Sequence, residues 1–433
     1  MVIFLMNTII QRCTNSTIQW LTTIFTTMKI LHTADWHIGK VLHKQSLQDE
    51  MDLFLDWLLE LLGSEEIDLL LVSGDIFDVA NPAVKDRKIY YNFLSKLIGS
   101  KTQVIITGGN HDSIALLDAP QEILEHINIS VVGGAKENIE KEIIEVKGQD
   151  GIAELIVAAV PFLRDKDLRS SVGNSDGKDR SAVLKEGIAN HYRKVGEVCS
   201  VKYKELPALA MGHLYAKGVS TSDSERDIHI GNAAAVESDI FPPVFGYVAL
   251  GHIHRPQIIG GSEMIRYSGS PIALSFSEKT DTKCVLIIEL ENGKFSVPRA
   301  MAVPKKRALT KLSGTFDDVR SKLEKYNPEY DLVSFVEIEV MEGDFSSTVL
   351  ANVEDLVTEY ASHERFHILK SRTQFRNGAN DTSDLFDQGV NIEDLQPGEV
   401  FEKRLLTEQV DDEKRSFLET AFQEILEEVM QKD

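Results

Sequence analysis

Cysteine is scarce in this chain of 433 residues: Cys13, Cys199 and Cys284 are the only three. They are odd in number, far apart and never spaced as CxxC, which excludes a disulfide framework or a zinc–thiolate site. The pattern fits a reducing, cytoplasmic compartment. Long apolar runs are missing too. Val2–Met6 is apolar, but Asn7, Gln11 and Arg12 break the stretch well short of the ~20 residues a membrane span needs. Arg12, the first basic residue, comes too late to open a signal peptide. Residues 1–27 are therefore expected to be a disordered extension, with a weak targeting segment as the alternative, and no membrane association is expected. Basic charge is also in deficit: 46 Lys and Arg against 68 Asp and Glu leave a net charge of −22. That balance argues against strong nucleic-acid binding by this chain alone, unless bound divalent cations or a basic partner supply the positive charge. No internal repeat is visible.

The composition is 42% hydrophobic and 26% charged, enough to build a sizeable core, and the length implies two or three domains. From Met28 onward, short apolar runs alternate with segments of helical apolar spacing. Strands are expected at 29–33, 68–73, 103–107, 154–160, 208–211 and 247–250, and helices at 47–62 and 86–98. Antiparallel strands are expected to join at about 264–298. Alternating strands and helices imply an α/β layered fold. A boundary is expected near Pro304. It is followed by a small α+β unit at 305–370, with a helix at 316–326 and a strand at 332–341, then a polar linker at 371–399. Leu418, Phe422, Ile425, Leu426, Val429 and Met430 form one apolar stripe on a last helix.

The informative residues stand directly after the strands: Asp35 and His37, Asp75, Asn110 and His111, His213, and His252 with His254. In open α/β sheets the carboxyl ends of strands line the ligand crevice. Oxygen and nitrogen donors without thiolate suit manganese, iron or zinc. Residues two apart on an extended chain point the same way, so the pairs Asp35/His37 and His252/His254 can each clasp an ion. Even without His111, seven donors are too many for one tetrahedral ion. Two ions roughly 3.5–4 Å apart use them, with Asp75 as the best bridge. The adjoining glycines, Gly251 among them, suit close backbone approach. Any one of these motifs can arise by chance, and a histidine after a strand often just bonds a backbone carbonyl. The ordered set of motifs, each behind a strand, is what carries weight. His32 is expected in the core, Asp112 as a helix cap, with a supporting role behind the metal ligands as the alternative, and His43, His126, His191, His229, His363 and His367 as structural or solvated.

Asp35-Trp36-His37, Gly74-Asp75-Ile76-Phe77-Asp78, Gly109-Asn110-His111-Asp112, Gly212-His213 and Gly251-His252-Ile253-His254 together resemble the motifs of the calcineurin-like metallophosphoesterases. The opening Met28–Gly39, Ser222-Asp223-Ser224-Glu225-Arg226 and Tyr267-Ser268-Gly269-Ser270-Pro271 resemble the SbcD family within that group, the nuclease subunits of bacterial SbcCD complexes. The superfamily motifs span residues 28–275, and weaker SbcD-like features reach about residue 410. The resemblance implies a layered β-sandwich flanked by helices (residues 28–304), a capping domain (305–370), and a linker with a partner-binding C-terminal helix (371–433). It implies two manganese ions, one held by Asp35, His37, Asp75 and His254, the other by Asp75, Asn110, His213 and His252. His111 would contact the scissile phosphate as general acid or transition-state stabiliser, and Asp78 would orient His111. DNA ends and hairpins would be the substrate, an SbcC-type coiled-coil ATPase the partner, and a homodimer within a heterotetramer the assembly. A small-molecule or cyclic-nucleotide phosphodiesterase with the same centre is the alternative; a non-catalytic scaffold would have lost a ligand, and none is missing.

Overall fold

The structure, a computed structural model, describes residues 27–148, 150–171, 180–225, 235–361, 363–376 and the single positions 405, 418 and 422. Residues 1–26 of the extension expected at 1–27, most of the linker and nearly all of the C-terminal helix lie outside these residues. Among the described residues no helix is long and apolar enough to cross a membrane.

In chain order the strands are β1 (Met28–Thr33), β2 (Val41–Leu42), β3 (Gln45–Ser46), β4 (Leu69–Ser73), β5 (Gln103–Thr107), β6 (Ile129–Val132), β7 (Ile143–Lys147), β8 (Ala153–Ala159) and β9 (Ala208–His213). They continue as β10 (Phe245–Gly251), β11 (Gln257–Ile259), β12 (Ser262–Tyr267), β13 (Cys284–Glu291), β14 (Lys294–Phe295), β15 (Arg299–Ala302), β16 (Leu309–Gly314), β17 (Ser334–Glu342) and β18 (Phe366–Phe375). One sheet runs β14-β13-β1-β4-β5-β6, with β15 on β13. In it β1, β4, β5 and β6 are parallel, and β13 is antiparallel to β1. The other runs β11-β12-β10-β9-β8-β7, with β8, β9, β10 and β12 parallel. The expectation of antiparallel strands at 264–298 therefore needs correction for β12, which lies parallel to β10 and is antiparallel only to the short β11.

Parallel strands covered on both faces read as continuous apolar runs. Here Leu-Leu-Leu-Val in β4 is buried at every position. Alternate residues serve different layers. Ile30, Leu71, Ile105, Leu155, Met211 and Ala249 meet between the two sheets. Leu31, Leu70 and Val104 turn outward to Phe54 and Leu58 of the helix Gln48–Ser64 and Phe93 of the helix Val84–Lys96. Ile156, Ala210 and Val248 turn to Ile188, Tyr192 and Val195 of the helix Arg180–Lys202. The result is a β-sandwich with helices on both outer faces, the layered α/β class expected.

The chain divides into two compact units. The first holds residues up to Leu312 with Arg320–Ile338 and Leu356–Ser371; the second holds Ser313–Val319, Glu339–Asp355 and the chain from Arg372. In the second, Thr315 and Asp318 cap each other's backbone at 3.2 Å, and Phe345 meets Phe375 with ring centres 5.2 Å apart.

Candidate metal centre

Each candidate donor follows a parallel strand: Asp35 and His37 after β1, Asp75 after β4, Asn110 and His111 after β5, His213 at the end of β9, His252 and His254 after β10. The parallel direction therefore delivers all of them to one edge of the sandwich. Trp36 anchors the first loop between its two donors. It is fully buried, its indole N–H donates to Thr33 Oγ1 at 3.1 Å, and its ring meets Phe54 and Phe93 edge-on. The backbone bends sharply here. Asp35 (φ 54°), His37 (47°), Asp75 (49°) and His252 (103°) occupy the left-handed region that side chains avoid. Such backbone persists only where the surroundings over-determine it, and it clusters at functional sites. Gly251 is required by contact: a Cβ there would lie 1.8 Å from the Ser73 carbonyl.

Asp75 sits at the middle. Its Oδ1 accepts the His111 backbone N–H at 2.9 Å. Its Oδ2 faces His213 Nε2 at 3.3 Å, His37 Nε2 at 3.6 Å and His111 Nε2 at 4.0 Å. On one side Asp35, His37 and His254 converge, with His37 Nε2 and His254 Nε2 3.2 Å apart. On the other, His213 and His252 join Asp75, and Asn110 Oδ1 stands 2.9 Å from His213 Nε2 and 3.2 Å from His252 Nδ1. The structure thus gathers every residue singled out as a donor.

The tautomers follow from what lies behind each ring. His37 Nδ1 meets Asp78 Oδ1 at 3.2 Å, and His213 Nδ1 meets the Ser73 carbonyl at 3.0 Å. Both partners are acceptors, so Nδ1 carries a proton and Nε2 is the nitrogen that would turn a lone pair toward a bound ion. Lone pairs of histidines, Asp75 and Asn110 then crowd one buried space. Asp35 Oδ2 and His252 Nε2 are buried without a hydrogen-bond partner. Convergent acceptors and orphaned buried donor atoms are what divalent cations relieve, so the residues fit two ions. With protein atoms alone, burial pushes Asp35 up to about 7, helped by Asp75 and opposed by His213 and His37. Burial disfavours the His213 cation, but Asp75 and Asp35 outweigh it and carry that group up to about 9.

Asp78 holds His111 through its backbone: the carbonyl takes His111 Nδ1 at 2.6 Å. Its carboxylate lies 3.2 Å from both His37 Nδ1 and Lys40 Nζ, in one cluster with His37 and His111. One expectation is corrected: Asp112 does not cap the next helix, where the Ser113 side chain is the cap for Ile114–Asp118. Asp112 accepts the N–H groups of Gly109 (2.8 Å), Phe77 (3.0 Å) and Ile76 (3.1 Å), tying the Asp75 loop to the Asn110 loop. Of the histidines expected to be structural or solvated, His191 Nε2 meets Glu142 Oε2 at 2.7 Å and His126 Nδ1 meets the Glu122 carbonyl at 2.7 Å.

A calcineurin-like phosphoesterase profile matches residues 28–256. A second, described as "Type 5 capsule protein repressor C-terminal domain", matches residues 305–409. The chain is 32% identical over 398 residues to the SbcD subunit of the SbcCD nuclease of Escherichia coli K12, covering 91% of this chain and 97% of that protein. The chain belongs to the SbcD branch of the calcineurin-like phosphoesterases. The SbcD nuclease subunits of Rhodobacter capsulatus and Bacillus subtilis are 36% and 34% identical over 289 and 270 residues. These alignments cover 64% and 62% of this chain and 70% and 67% of those proteins. Membership in this phosphoesterase family makes the chain a metal-dependent phosphodiesterase, in agreement with the donor set its loops assemble.

Proposed function

We propose that this chain is the DNA nuclease subunit of an SbcCD-type complex, hydrolysing phosphodiester bonds during DNA repair and recombination in the cytoplasm. The observation that carries the reading is the convergence of buried acceptors from five strand ends on Asp75, in a chain similar along nine-tenths of its length to the nuclease subunit of Escherichia coli. Asp35, His37, Asp75 and His254 would hold one manganese, and Asp75, Asn110, His213 and His252 the other. When bound, such ions supply Lewis acidity, easing loss of a proton from water and neutralising charge on the phosphate. The protein's own work is positioning and proton transfer. His111 donates its Nδ1–H to the Asp78 carbonyl and aims Nε2 into the site. In its protonated form that nitrogen can donate to a phosphate oxygen as charge builds there. Asp78 acts on His37 through its carboxylate and on His111 through its backbone.

Residues 305–370 are proposed as a capping domain that steers DNA across the site, and the Leu418–Met430 stripe as the segment that docks on an SbcC-type ATPase. The assembly would be a homodimer within a heterotetramer. The net charge of −22 makes a basic partner surface part of this proposal. A small-molecule phosphodiesterase would not need the 105 residues matched by the C-terminal profile at 305–409, which favours the nuclease.

The deciding experiment is manganese-dependent cleavage of end-labelled double-stranded DNA by the wild type and His111→Ala, with bis-p-nitrophenyl phosphate as second substrate. The wild type is expected to cut both, and the variant to lose roughly 10²–10⁴-fold on DNA. Cleavage of the small ester without cleavage of DNA, even with an SbcC-type partner and ATP, would leave the chemistry standing and remove the nuclease.

A further inference from the structure

Behind His254 lies a polar network that takes no part in the proton transfer at His111. Glu278 and Lys283 are buried and paired with each other. Both face the back of His254. Ser224 Oγ lies 2.6 Å from His254 Nδ1 and also bonds Glu278 Oε1. Glu225 Oε1 accepts the His254 backbone N–H at 2.9 Å. Lys283 Nζ donates to the His254 carbonyl at 2.9 Å. One histidine is thus held at its backbone N–H, its carbonyl and its ring by residues from two distant segments.

The direction of the hydrogen bonds is fixed by chemistry. Glu278, paired with the Lys283 cation, is a carboxylate and only accepts. Ser224 has one proton, and the anionic oxygen is its strongest acceptor nearby. The Ser224 oxygen must then accept from His254, so the His254 proton sits on Nδ1. His254 Nε2 is left with its lone pair facing His37 Nε2 and the Asp35 side of the centre. A metal-bound histidine is commonly oriented in this way by a carboxylate or carbonyl behind it, and losing that support typically costs affinity.

We propose that Ser224 and Glu278, with Lys283, are positioning residues that lock the tautomer and aim of His254 and so set the affinity of one of the two metal ions. The proposal rests on the two-metal reading. It gives a role to Ser224 and Glu225, in a motif that the sequence marks out without assigning one, and brings in Glu278 and Lys283, which no motif contains.

The test is manganese titration of the metal-free full-length chain by isothermal titration calorimetry, with thermal unfolding of the same samples. Ser224→Ala and Glu278→Gln are expected to weaken one of two sites roughly 10–100-fold and leave the other unchanged. Ser224→Thr, which keeps the hydroxyl, should bind like the wild type. Glu142→Gln, which removes the charge from the buried contact with His191, controls for stability and should leave both affinities intact. Should Glu278→Gln fail to fold, Ser224→Ala decides alone. Two wild-type affinities in Ser224→Ala, or equal weakening of both sites, overturn the positioning role. Failure of the wild type to bind two ions would instead overturn the two-metal reading itself.

Discussion

His32 is fully enclosed in β1, its Nδ1 2.9 Å from the Tyr247 hydroxyl, and burial drives its pKa from 6.5 down to about 3. Between those two values the unfolded chain carries a proton on this ring that the folded chain refuses. Stability contributed by the neutral ring is therefore fully present above pH 6.5 and falls as the pH drops toward 3, by about 1.4 kcal/mol per pH unit. Urea unfolding of the wild type and His32→Phe at pH 7 and pH 5 isolates this effect, since other titrations cancel in the difference. The wild type should lose more stability than the variant; equal losses would mean that the folded protein accepts the proton. The sequence placed His32 in the core because it lies inside an apolar run. It also marked every donor, because each stands immediately behind a strand. The partners of those donors were illegible. Asp112 follows a histidine and precedes a serine in a short loop, so a cap was the local reading. Its three backbone contacts come from the tertiary approach of two loops. Ser224, Glu278 and Lys283 were hidden for the same reason, being 24 to 30 residues from His254 in sequence.

The helix Gln48–Ser64 is tied at its start to the segment ahead of β16. Arg307 Nη2 donates to Glu50 Oε2 at 3.0 Å and Nη1 to the Val333 carbonyl at 2.6 Å, and the guanidinium lies over the Phe335 ring at 3.9 Å. Both charges are buried. Removing one partner strands the other, whereas removing both does not. Arg307→Met is expected to destabilise by about 3–5 kcal/mol, and Arg307→Met with Glu50→Met by much less. Chemical denaturation of the two single variants and the double variant measures the coupling; additive losses would show that the pair is not coupled. Among elements, the parallel strands β1, β4, β5, β8, β9 and β10 were readable as apolar runs, whereas β6 was not expected and β12 read as antiparallel. The helix Arg180–Lys202 was not readable either. Its buried stripe of Leu184, Ile188, Tyr192 and Val195 is interrupted by Gly187 and Gly196, residues that punctuate a helical pattern. The structure gives the reason at Gly196, where a Cβ would come within 2.6 Å of Pro242.

For the whole molecule, the two-ion reading makes metal a stabilising ligand. The acceptors around Asp75 repel one another in the bare protein, and a cation that binds the folded chain shifts unfolding by mass action. At a hundredfold excess over the dissociation constant the gain is about 2.7 kcal/mol per site. Scanning calorimetry of chelator-stripped protein with and without manganese should show a higher Tm with metal. An unchanged Tm would mean that these residues do not hold the ion. The donors span the chain from Asp35 to His254, and no shorter contiguous piece contains them all. Synthesis runs from the amino end, so Gly251–His254 is the last part of the centre to leave the ribosome. A stalled or prematurely terminated chain without it has a centre missing two histidines. The order of the motifs thus delays a DNA-cutting activity until all five donor-bearing strands, β1, β4, β5, β9 and β10, have been made.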